Sequence, residues 1–364
     1  MAKKVYIGVS SKARQVKKIY IGVSSKARKV KKGYVGVGGV ARPFWTTELA
    51  YYGTTTSLDE ATRENAATTV GNYAIFAGGY SYKTTAVAYS NNLVKSTITA
   101  LSEGRRSIAA TCVGNYAVFA GGQAHSSPSA TAKIDYYSAD LVRTSGSLQG
   151  SSERNCMAAT TLDNYALFGG GYDSDDNRCK EVFVIDSDLA RVTTTSIGDK
   201  RCNMGAATVG NYAIFAGGGS YSNAYAFDKD LAMTTISSLS NTGSPVGTPV
   251  GNYALFGGGT YSSAAVDVFD STLTKTTPIE LSIARNSLPA TTVGDTAIFA
   301  GGNNGSEYVA IVDAFGSDLI RTTPDPLSVA RGWNRQSATS VGNYALIGGG
   351  YGSKVSDVVD VYMI

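Results

Sequence analysis

The chain has 364 residues, of which 43% are hydrophobic, 16% are charged and 42 are glycine. A chain of this length buries a large core without disulfides, and its low charge excludes a disordered protein or a long coiled coil. It has no apolar run of about 18 residues to predict a transmembrane helix, and its basic start lacks the apolar segment of a signal peptide. The single histidine, His125, excludes most histidine-based catalytic and metal sites.

The first 45 residues differ from the rest in charge. Residues 1–45 hold 12 lysines and arginines and no acidic residue, so the remaining chain is acidic although the net charge is +4. Within this basic arm, a Lys-Lys-x-Tyr-x-Gly-Val segment recurs every 14 residues, at residues 3–9, 17–23 and 31–37. The alternation of β-branched residues predicts a small β-meander that ends at residues 43–45. So thin a sheet should pack on a partner or on another copy, and its charge should attract an acidic partner.

The body, residues 46–364, repeats at a longer period. The segment Gly-Asn-Tyr-Ala-Ile-Phe-Ala-Gly-Gly at residues 71–79 is followed by six similar copies, spaced 41 to 49 residues apart. These copies begin at Gly114, Asp163, Gly210, Gly251, Gly294 and Gly342. A period of about 40–50 residues is typical of a propeller or solenoid, and the Thr, Val, Tyr and Phe content predicts strands rather than helices.

One repeat can be divided into four antiparallel strands. Residues 66–70 predict the innermost strand, and residues 73–77 predict the second, joined by a two-residue hairpin turn. Third strands such as residues 265–269 follow the glycine doublet, and threonine-rich outer strands such as residues 319–323 end the unit. The last repeat lacks an outer strand, whereas residues 49–58 form a surplus strand before the first repeat. We therefore expect this N-terminal strand to complete the last blade and close the ring.

The glycine doublets at this spacing resemble the kelch repeat, over residues 48–364. The resemblance implies an all-β, seven-bladed kelch-like β-propeller with four antiparallel strands in each blade. One feature departs from the family, because threonine stands on the fourth strand where kelch repeats carry tryptophan.

Little in the sequence points to catalysis or to a bound cofactor. The four cysteines, Cys112, Cys156, Cys179 and Cys202, have no metal-binding spacing and are expected to be free thiols. The oxygen-rich loop that begins at Asp173 lacks the glycine and terminal acid of a calcium loop. We therefore expect no enzyme activity, no metal and no cofactor.

Two series of residues recur beside the innermost strands. An arginine precedes the strand, and a tyrosine follows the glycine doublet, which places both on the loops around one mouth of the channel. Such a ring could bind anionic groups and stack on sugars or aromatic side chains. Alternatively, the arginines tie adjacent blades together through carboxylates and carbonyls. The candidate ligand-binding residues are Arg63, Arg106, Arg154, Arg201, Arg285, Arg331, Tyr82, Tyr172, Tyr221, Tyr261 and Tyr351.

These observations favour a non-enzymatic binding and assembly protein that binds a glycan or a protein on the propeller face. The basic repeats of the arm resemble those of tail-associated proteins of phages and prophages of Gram-positive bacteria. That resemblance implies a virion component, with the virion or the bacterial cytoplasm as its location and with virion subunits or further copies as partners of the arm. A peptide-binding intracellular scaffold and a carbohydrate-active enzyme using Asp173, Asp175 or Glu307 remain the alternatives.

Overall fold

The fold was analysed in a computed structural model that describes residues 6–9, 12–15, 19–23, 26–30, 32–37, 40–46, 48–124, 130–148, 153–261, 263–276, 279–333 and 336–364. Within these ranges the regular structure is entirely β-strand, and none of it is a helix long and apolar enough to span a membrane. The single histidine, His125, lies outside the described residues.

The body is a seven-bladed β-propeller, as the repeat predicts, and every blade is an antiparallel sheet of four strands. In the order of blades 1 to 7, the innermost strands are Ala66–Val70, Ala109–Val113, Ala158–Leu162, Gly205–Val209, Val246–Val250, Ala290–Val293 and Ala338–Val341. The second strands are Tyr73–Ala77, Tyr116–Ala120, Tyr165–Gly169, Tyr212–Ala216, Tyr253–Gly257, Thr296–Ala300 and Tyr344–Gly348. The third strands are Ala86–Ser90, Lys133–Ser138, Cys179–Asp186, Ala224–Phe227, Ala265–Asp270, Val312–Gly316 and Val359–Met363. The outer strands are Lys95–Thr97, Arg143–Ser147, Arg191–Arg201, Met233–Ile236, Ile279–Glu280, Arg321–Thr322 and, for blade 7, Ala50–Thr54.

The outer strand of blade 7 closes the ring. Ala50–Thr54 pairs antiparallel with Val359–Met363, so the last blade is built from both ends of the propeller sequence. The Tyr51 hydroxyl donates to the Asp360 carboxylate over 2.6 Å, and the Tyr51 and Tyr362 rings lie 5.2 Å apart. The prediction that an N-terminal strand completes the last blade is therefore confirmed.

The hydrophobic core lies between blades rather than within one layer. Each of the seven buried clusters combines side chains from two neighbouring blades, as when Tyr89 of blade 1 packs with Leu346 and Val361 of blade 7. The second strands are buried on both faces, which explains their continuous apolar sequence. Edge-to-face aromatic pairs, such as Phe215 with Phe227 at 5.9 Å, recur in most blades.

Threonine hydroxyls also join adjacent innermost strands. The hydroxyls of Thr160 and Thr208 lie 2.9 Å apart, and Thr208 also donates to the carbonyl of Thr161 over 2.5 Å. The same arrangement links blade 7 to blade 1, blade 2 to blade 3 and blade 5 to blade 6. Because each hydroxyl hydrogen-bonds to a neighbouring blade, the Thr-Thr pair of the repeat both favours a strand and fixes the spacing between blades.

The arm forms hairpins, but not the continuous meander that the 14-residue repeat predicts. Its strands pair as three separate two-stranded sheets, so the prediction of one meander is wrong for the described residues. The third hairpin extends through residues 43–45, which lie inside a strand instead of ending the arm. The paired strands are Tyr6–Val9 with Lys12–Gln15, Ile19–Val23 with Lys26–Val30, and Lys32–Val37 with Val40–Thr46.

Alkaline pH should unfold the propeller through its buried tyrosines. Burial raises the pKa of Tyr89, Tyr137 and Tyr362 well above the usual value of about 10. A pKa that is higher in the folded chain means that stability is complete below pH 10 and is lost as the pH rises further. We expect tyrosinate absorbance at 295 nm to rise in two phases, the second coinciding with loss of the β-sheet circular dichroism signal. A single phase near pH 10 with an unchanged fold would contradict this assignment.

Candidate functional site

The loops at one mouth of the channel are fixed by a repeated junction between blades. In six of the seven blades the second glycine of the doublet donates its N–H to the loop before the next innermost strand, as Gly122 does to the Arg154 carbonyl over 2.7 Å. A side chain would fit at neither glycine: a Cβ on Gly170 would lie 2.5 Å from the Arg201 carbonyl oxygen, and a Cβ on Gly171 would lie 2.4 Å from the Asn155 carbonyl oxygen. The glycine doublets are therefore required by close backbone approach between blades.

Five arginines at these junctions are buried and send their side chains into the following blade. Arg105 donates to the Asp135 carboxylate and to the carbonyl of Lys133, each over 2.6 Å. Arg285 and Arg331 pair in the same way with buried aspartates of blades 6 and 7, at 2.7 and 2.6 Å. In blades 3 and 4 the partners lie at other positions, so Arg154 binds Glu181 and Arg201 binds Asp199. Burial lowers the pKa of Arg105 and Arg285, and the adjacent carboxylates oppose that effect.

Four of the arginines predicted for a ligand-binding face therefore cannot form one. Arg154, Arg201, Arg285 and Arg331 are buried, and their guanidinium groups bind carboxylates and carbonyls of the chain itself. For these four residues the structure instead supports the alternative interpretation, in which the arginines tie adjacent blades together. Arg63 and Arg106 differ because each lies one residue further along the loop than the buried series; Thr62 and Arg105 occupy the buried positions. The carbonyls of Thr62 and Arg105 accept the N–H groups of Gly350 and Gly79.

Blades 1 and 5 break the arginine pattern. Blade 1 has Thr62 for the arginine and Val87 where the third strands of blades 2, 5, 6 and 7 carry aspartate, so both members of the pair are missing. Blade 5 keeps the buried Asp267 but has Gly243 in place of arginine, and Lys275 neutralises the carboxylate from the outer side at 2.8 Å. The loss of both partners in blade 1 leaves no unpaired buried charge, which agrees with the high cost of such a charge.

A ring of strained residues surrounds the mouth. Six residues without the freedom of glycine occupy the left-handed region with φ between 53° and 57°: Glu64, Ser107, Cys156, Asn203, Ser287 and Trp333. Their backbones join neighbouring blades, since the N–H of Glu64 donates to Trp333 and that of Ser107 to Glu64, with Cys156 and Asn203 continuing the series. Non-glycine residues in this conformation concentrate at functional sites, where the surrounding structure fixes them.

An aromatic–arginine cluster, here called the rim patch, lies on one side of this ring. The Arg63 guanidinium lies over the rings of Tyr80, Trp333 and Tyr351, at 4.0, 4.3 and 4.9 Å from their centroids. Arg106 adjoins it, 5.5 Å from the Tyr80 centroid. Tyr80 is 37% exposed and Trp333 is 45% exposed, so the patch presents aromatic faces to solvent. Backbone hydrogen bonds fix this arrangement, because the Tyr80 N–H donates to the Arg63 carbonyl over 2.7 Å.

One carboxylate lies between the two arginines of the rim patch and compensates part of their charge. Glu64 lies 3.7 Å from the Arg63 guanidinium and 3.4 Å from that of Arg106. Ser107 donates to the same carboxylate over 3.2 Å, and Arg106 donates to the Gln123 side chain over 2.8 Å. The rim patch thus presents donors whose charge is partly compensated and whose directions are fixed.

The predicted tyrosines lie around the mouth in different surroundings. Tyr351 belongs to the rim patch, and Tyr82 lies 5.8 Å from the Arg106 guanidinium. Tyr172 and Tyr221 flank Arg178 in a second cluster, where hydrogen bonding to Cys202 and burial raise the pKa of Tyr172. Tyr261 stands apart and is 53% exposed. The predicted tyrosines therefore lie at the expected end of the propeller, but they do not form one continuous ring of contacts.

A central cavity of about 510 Å³ opens beside the rim patch. Its wall includes one small residue from the innermost strand of every blade, namely Ala67, Ala110, Ala159, Ala206, Gly247, Ala290 and Ala338. Trp333 and Glu64 line both the cavity and the rim patch. A volume of this size is typical of sites for small molecules, which take up about 300–1,000 Å³.

Several residues of this site are absent from the sequence prediction. Tyr308, whose ring lies 5.5 Å from that of Tyr351, is one of them. Like Trp333 and Glu64, it has no counterpart that repeats along the chain, so a search for recurring residues passes over it. The signal in the sequence was instead a departure from the repeat: Trp333 and Glu64 stand where other repeats carry serine, cysteine or asparagine. Of the acids considered for catalysis, Asp173 serves a turn, because its carboxylate accepts the N–H groups of Asp175 and Asn177. The described part of the chain contains no cluster of potential metal ligands.

All four cysteines are thiols outside any disulfide, as expected from their spacing. Cys179 and Cys202 are buried, whereas Cys112 and Cys156 are half-buried. Cys156 lines the central cavity, and Cys112 stands beside Thr161 at a junction between innermost strands.

Comparison with known proteins identifies the fold but no family. No family model and no curated protein matches the chain. A solved structure titled "Structure of YjhT" is similar, with a TM-score of 0.60 and 11% sequence identity, covering 74% of this chain and 99% of that one. It is one of 736 matching chains of known structure, and a fold shared so widely does not by itself select a function.

The buried ion pairs should dominate the stability of the blade junctions. Replacing Arg285 with Met leaves the Asp313 carboxylate buried without its close partner and should cost about 3–5 kcal/mol of unfolding free energy. The matched control is Arg321→Met, which removes the exposed partner of the same aspartate and should cost at most about 1 kcal/mol because solvent screens it. Urea denaturation measures both. Equal effects would show that burial of Arg285 does not matter, and the double variant R285M/D313L should recover most of the loss.

Proposed function

We propose that this chain is a non-enzymatic binding protein that holds a glycan at the mouth of the propeller. The observation that carries this proposal is the rim patch, which places exposed aromatic faces and fixed arginine donors beside a central cavity. Aromatic rings cover the apolar C–H faces of sugars, while adjacent polar groups bind the hydroxyls. The Arg63 guanidinium is held by three rings, so its donors remain ordered without a long polar network.

A compact ligand fits this surface better than a flat protein interface. Tryptophan, tyrosine and arginine are also enriched at protein interfaces, so their presence alone does not separate the two classes of partner. The site continues inward as a cavity with small residues from all seven blades, and such a concave site would be left empty by a flat partner. The adjoining cavity therefore favours a glycan.

Binding to a glycan array, followed by calorimetry with the best hit, tests the proposal. Trp333→Ala and Tyr80→Ala should each weaken binding by about tenfold or more, because each removes an exposed stacking face from the rim patch. Ile320→Ala is the matched control: Ile320 is 63% exposed but precedes the outer strand of blade 6, away from the mouth. Glycan binding that survives both aromatic substitutions, or no binding to any glycan, would refute the proposal.

We further propose that the basic arm assembles the protein into a virion, as its resemblance to tail-associated repeats implies. The three hairpins support this role, since an isolated two-stranded hairpin is marginally stable and gains stability from a partner. Light scattering of the full chain and of a variant lacking residues 1–45 tests the assembly. We expect the full chain to form oligomers, and the shortened chain to be a monomer with unchanged glycan affinity. Monomers in both cases would contradict self-assembly through the arm.

A further inference from the structure

One arginine at the mouth has no acidic partner among the described residues. The buried arginines of the junctions pair with carboxylates, and Arg63 and Arg106 share that of Glu64. Arg178, on the loop between the second and third strands of blade 3, forms an ion pair with no described carboxylate. The Asp173 carboxylate of the same loop instead accepts two backbone N–H groups of its own turn. Arg178 therefore brings an uncompensated positive charge to the mouth.

A missing side chain in blade 4 makes room for this arginine. The residue after the glycine doublet is tyrosine, glutamine, threonine or asparagine in the other six blades, but it is Gly219 in blade 4. A Cβ on Gly219 would lie 3.5 Å from the Arg178 guanidinium, so the guanidinium of blade 3 packs against the loop of blade 4. Arg178 remains partly exposed in this position. Its charged group is thus held where two blades meet and is open to a ligand.

Two tyrosines fix the direction of the Arg178 guanidinium. It hydrogen-bonds to the Tyr172 hydroxyl, and the backbones of Tyr172 and Arg178 pair across their loop. The guanidinium also lies 5.8 Å from the centroid of the Tyr221 ring, and the buried Arg201 lies 4.5 Å from the same centroid. Because Arg178 is already held by its neighbours, it loses little further conformational freedom when it binds an anion.

Arg178 and the rim patch face each other across a narrow mouth. The rim patch belongs to the loops of blades 7, 1 and 2, whereas Arg178 lies at the meeting of blades 3 and 4. Between the two sides, the Gln336 side chain of blade 7 donates over 2.9 Å to the carbonyl of Met157 of blade 3. A single side chain therefore spans the inner edge of the mouth. A glycan that stacks on the rim patch can extend across this opening to Arg178.

We propose that the glycan bound at the mouth is acidic and that Arg178 binds its carboxylate. This inference rests on the proposed glycan-binding function and assigns the charge of the ligand. A guanidinium matches a carboxylate through two parallel N–H···O bonds, and one uncompensated positive charge balances one negative charge. A phosphate monoester carries nearly two negative charges and would be only half balanced. A sulfate ester carries one charge but lacks the planar pair of oxygens, so the experiment includes it.

The test uses oligosaccharides that share a core and carry a uronic acid, the corresponding neutral hexose or a sulfated hexose. Calorimetry with the wild-type chain should show binding of the uronic acid member that is about tenfold tighter or more than that of the neutral member. Arg178→Met keeps an apolar stem but loses the guanidinium, so it should bind both members with the wild-type affinity for the neutral one. Arg178→Lys keeps the charge without the fork and should retain only part of the preference.

Arg321→Met is the matched control for the loss of an arginine. The Arg321 side chain is 39% exposed and lies on the outer strand of blade 6, away from the mouth. Both affinities should remain at their wild-type values in this variant. Melting temperatures of all variants are measured alongside, and we expect that of Arg178→Met to be close to the wild-type value because the residue is partly exposed.

A purely structural role of Arg178 predicts a different result. Arg178→Met would then melt at a lower temperature and bind the acidic and neutral members equally less tightly, and this outcome would overturn the inference. Equal wild-type affinity for the two members, or tighter binding of the sulfated one, would overturn it as well. If the wild-type chain shows no preference but loses both members in Trp333→Ala, only this inference fails and the proposed function stands. If no glycan binds the wild-type chain, both fail.

Discussion

The propeller depends on the junction at which one loop segment serves two blades. The carbonyl of Arg105 accepts a hydrogen bond from Gly79 in blade 1, while its side chain binds the Asp135 carboxylate in blade 2. A buried guanidinium is costly to desolvate, and it is retained because its donors reach a carboxylate and two backbone carbonyls. This junction fixes the distance and angle between successive blades, and hence the position of every loop at the mouth.

The candidate site arises where this junction is altered. In blade 1 the buried arginine is absent, and Arg63, one residue later, points to the mouth and stacks on three aromatic rings. Adjacent positions of the same loop thus differ in role: the first holds the blades together, and the second faces the mouth, where we propose that the ligand binds. Because the altered junction retains its backbone hydrogen bond to Gly350, the change of side chain leaves the ring intact.

The sequence was sufficient for the architecture because each blade repeats the same physical requirements. Seven copies of an apolar strand, a tight turn and a glycine doublet predict seven blades, and counting strands at both ends predicts the closing strand. In blade 2 the predicted arginine was one residue too late, because Arg105 and Arg106 are adjacent and only the Gly79 hydrogen bond identifies which of them is buried. The arm shows a similar limit, since a 14-residue repeat fits one meander or three hairpins equally well.

The ring of left-handed residues explains why such different side chains can stand at the mouth. Glutamate, serine, cysteine, asparagine and tryptophan share almost the same φ because interblade hydrogen bonds, rather than side-chain preference, determine the backbone there. Each non-glycine residue in this conformation carries a cost, of order 1 kcal/mol. The closed ring maintains this conformation, because one blade cannot relax without disturbing its neighbours. The backbone therefore acts as a rigid frame on which residues at equivalent positions form the surface of the mouth, and a large aromatic such as Trp333 is tolerated as readily as Ser107.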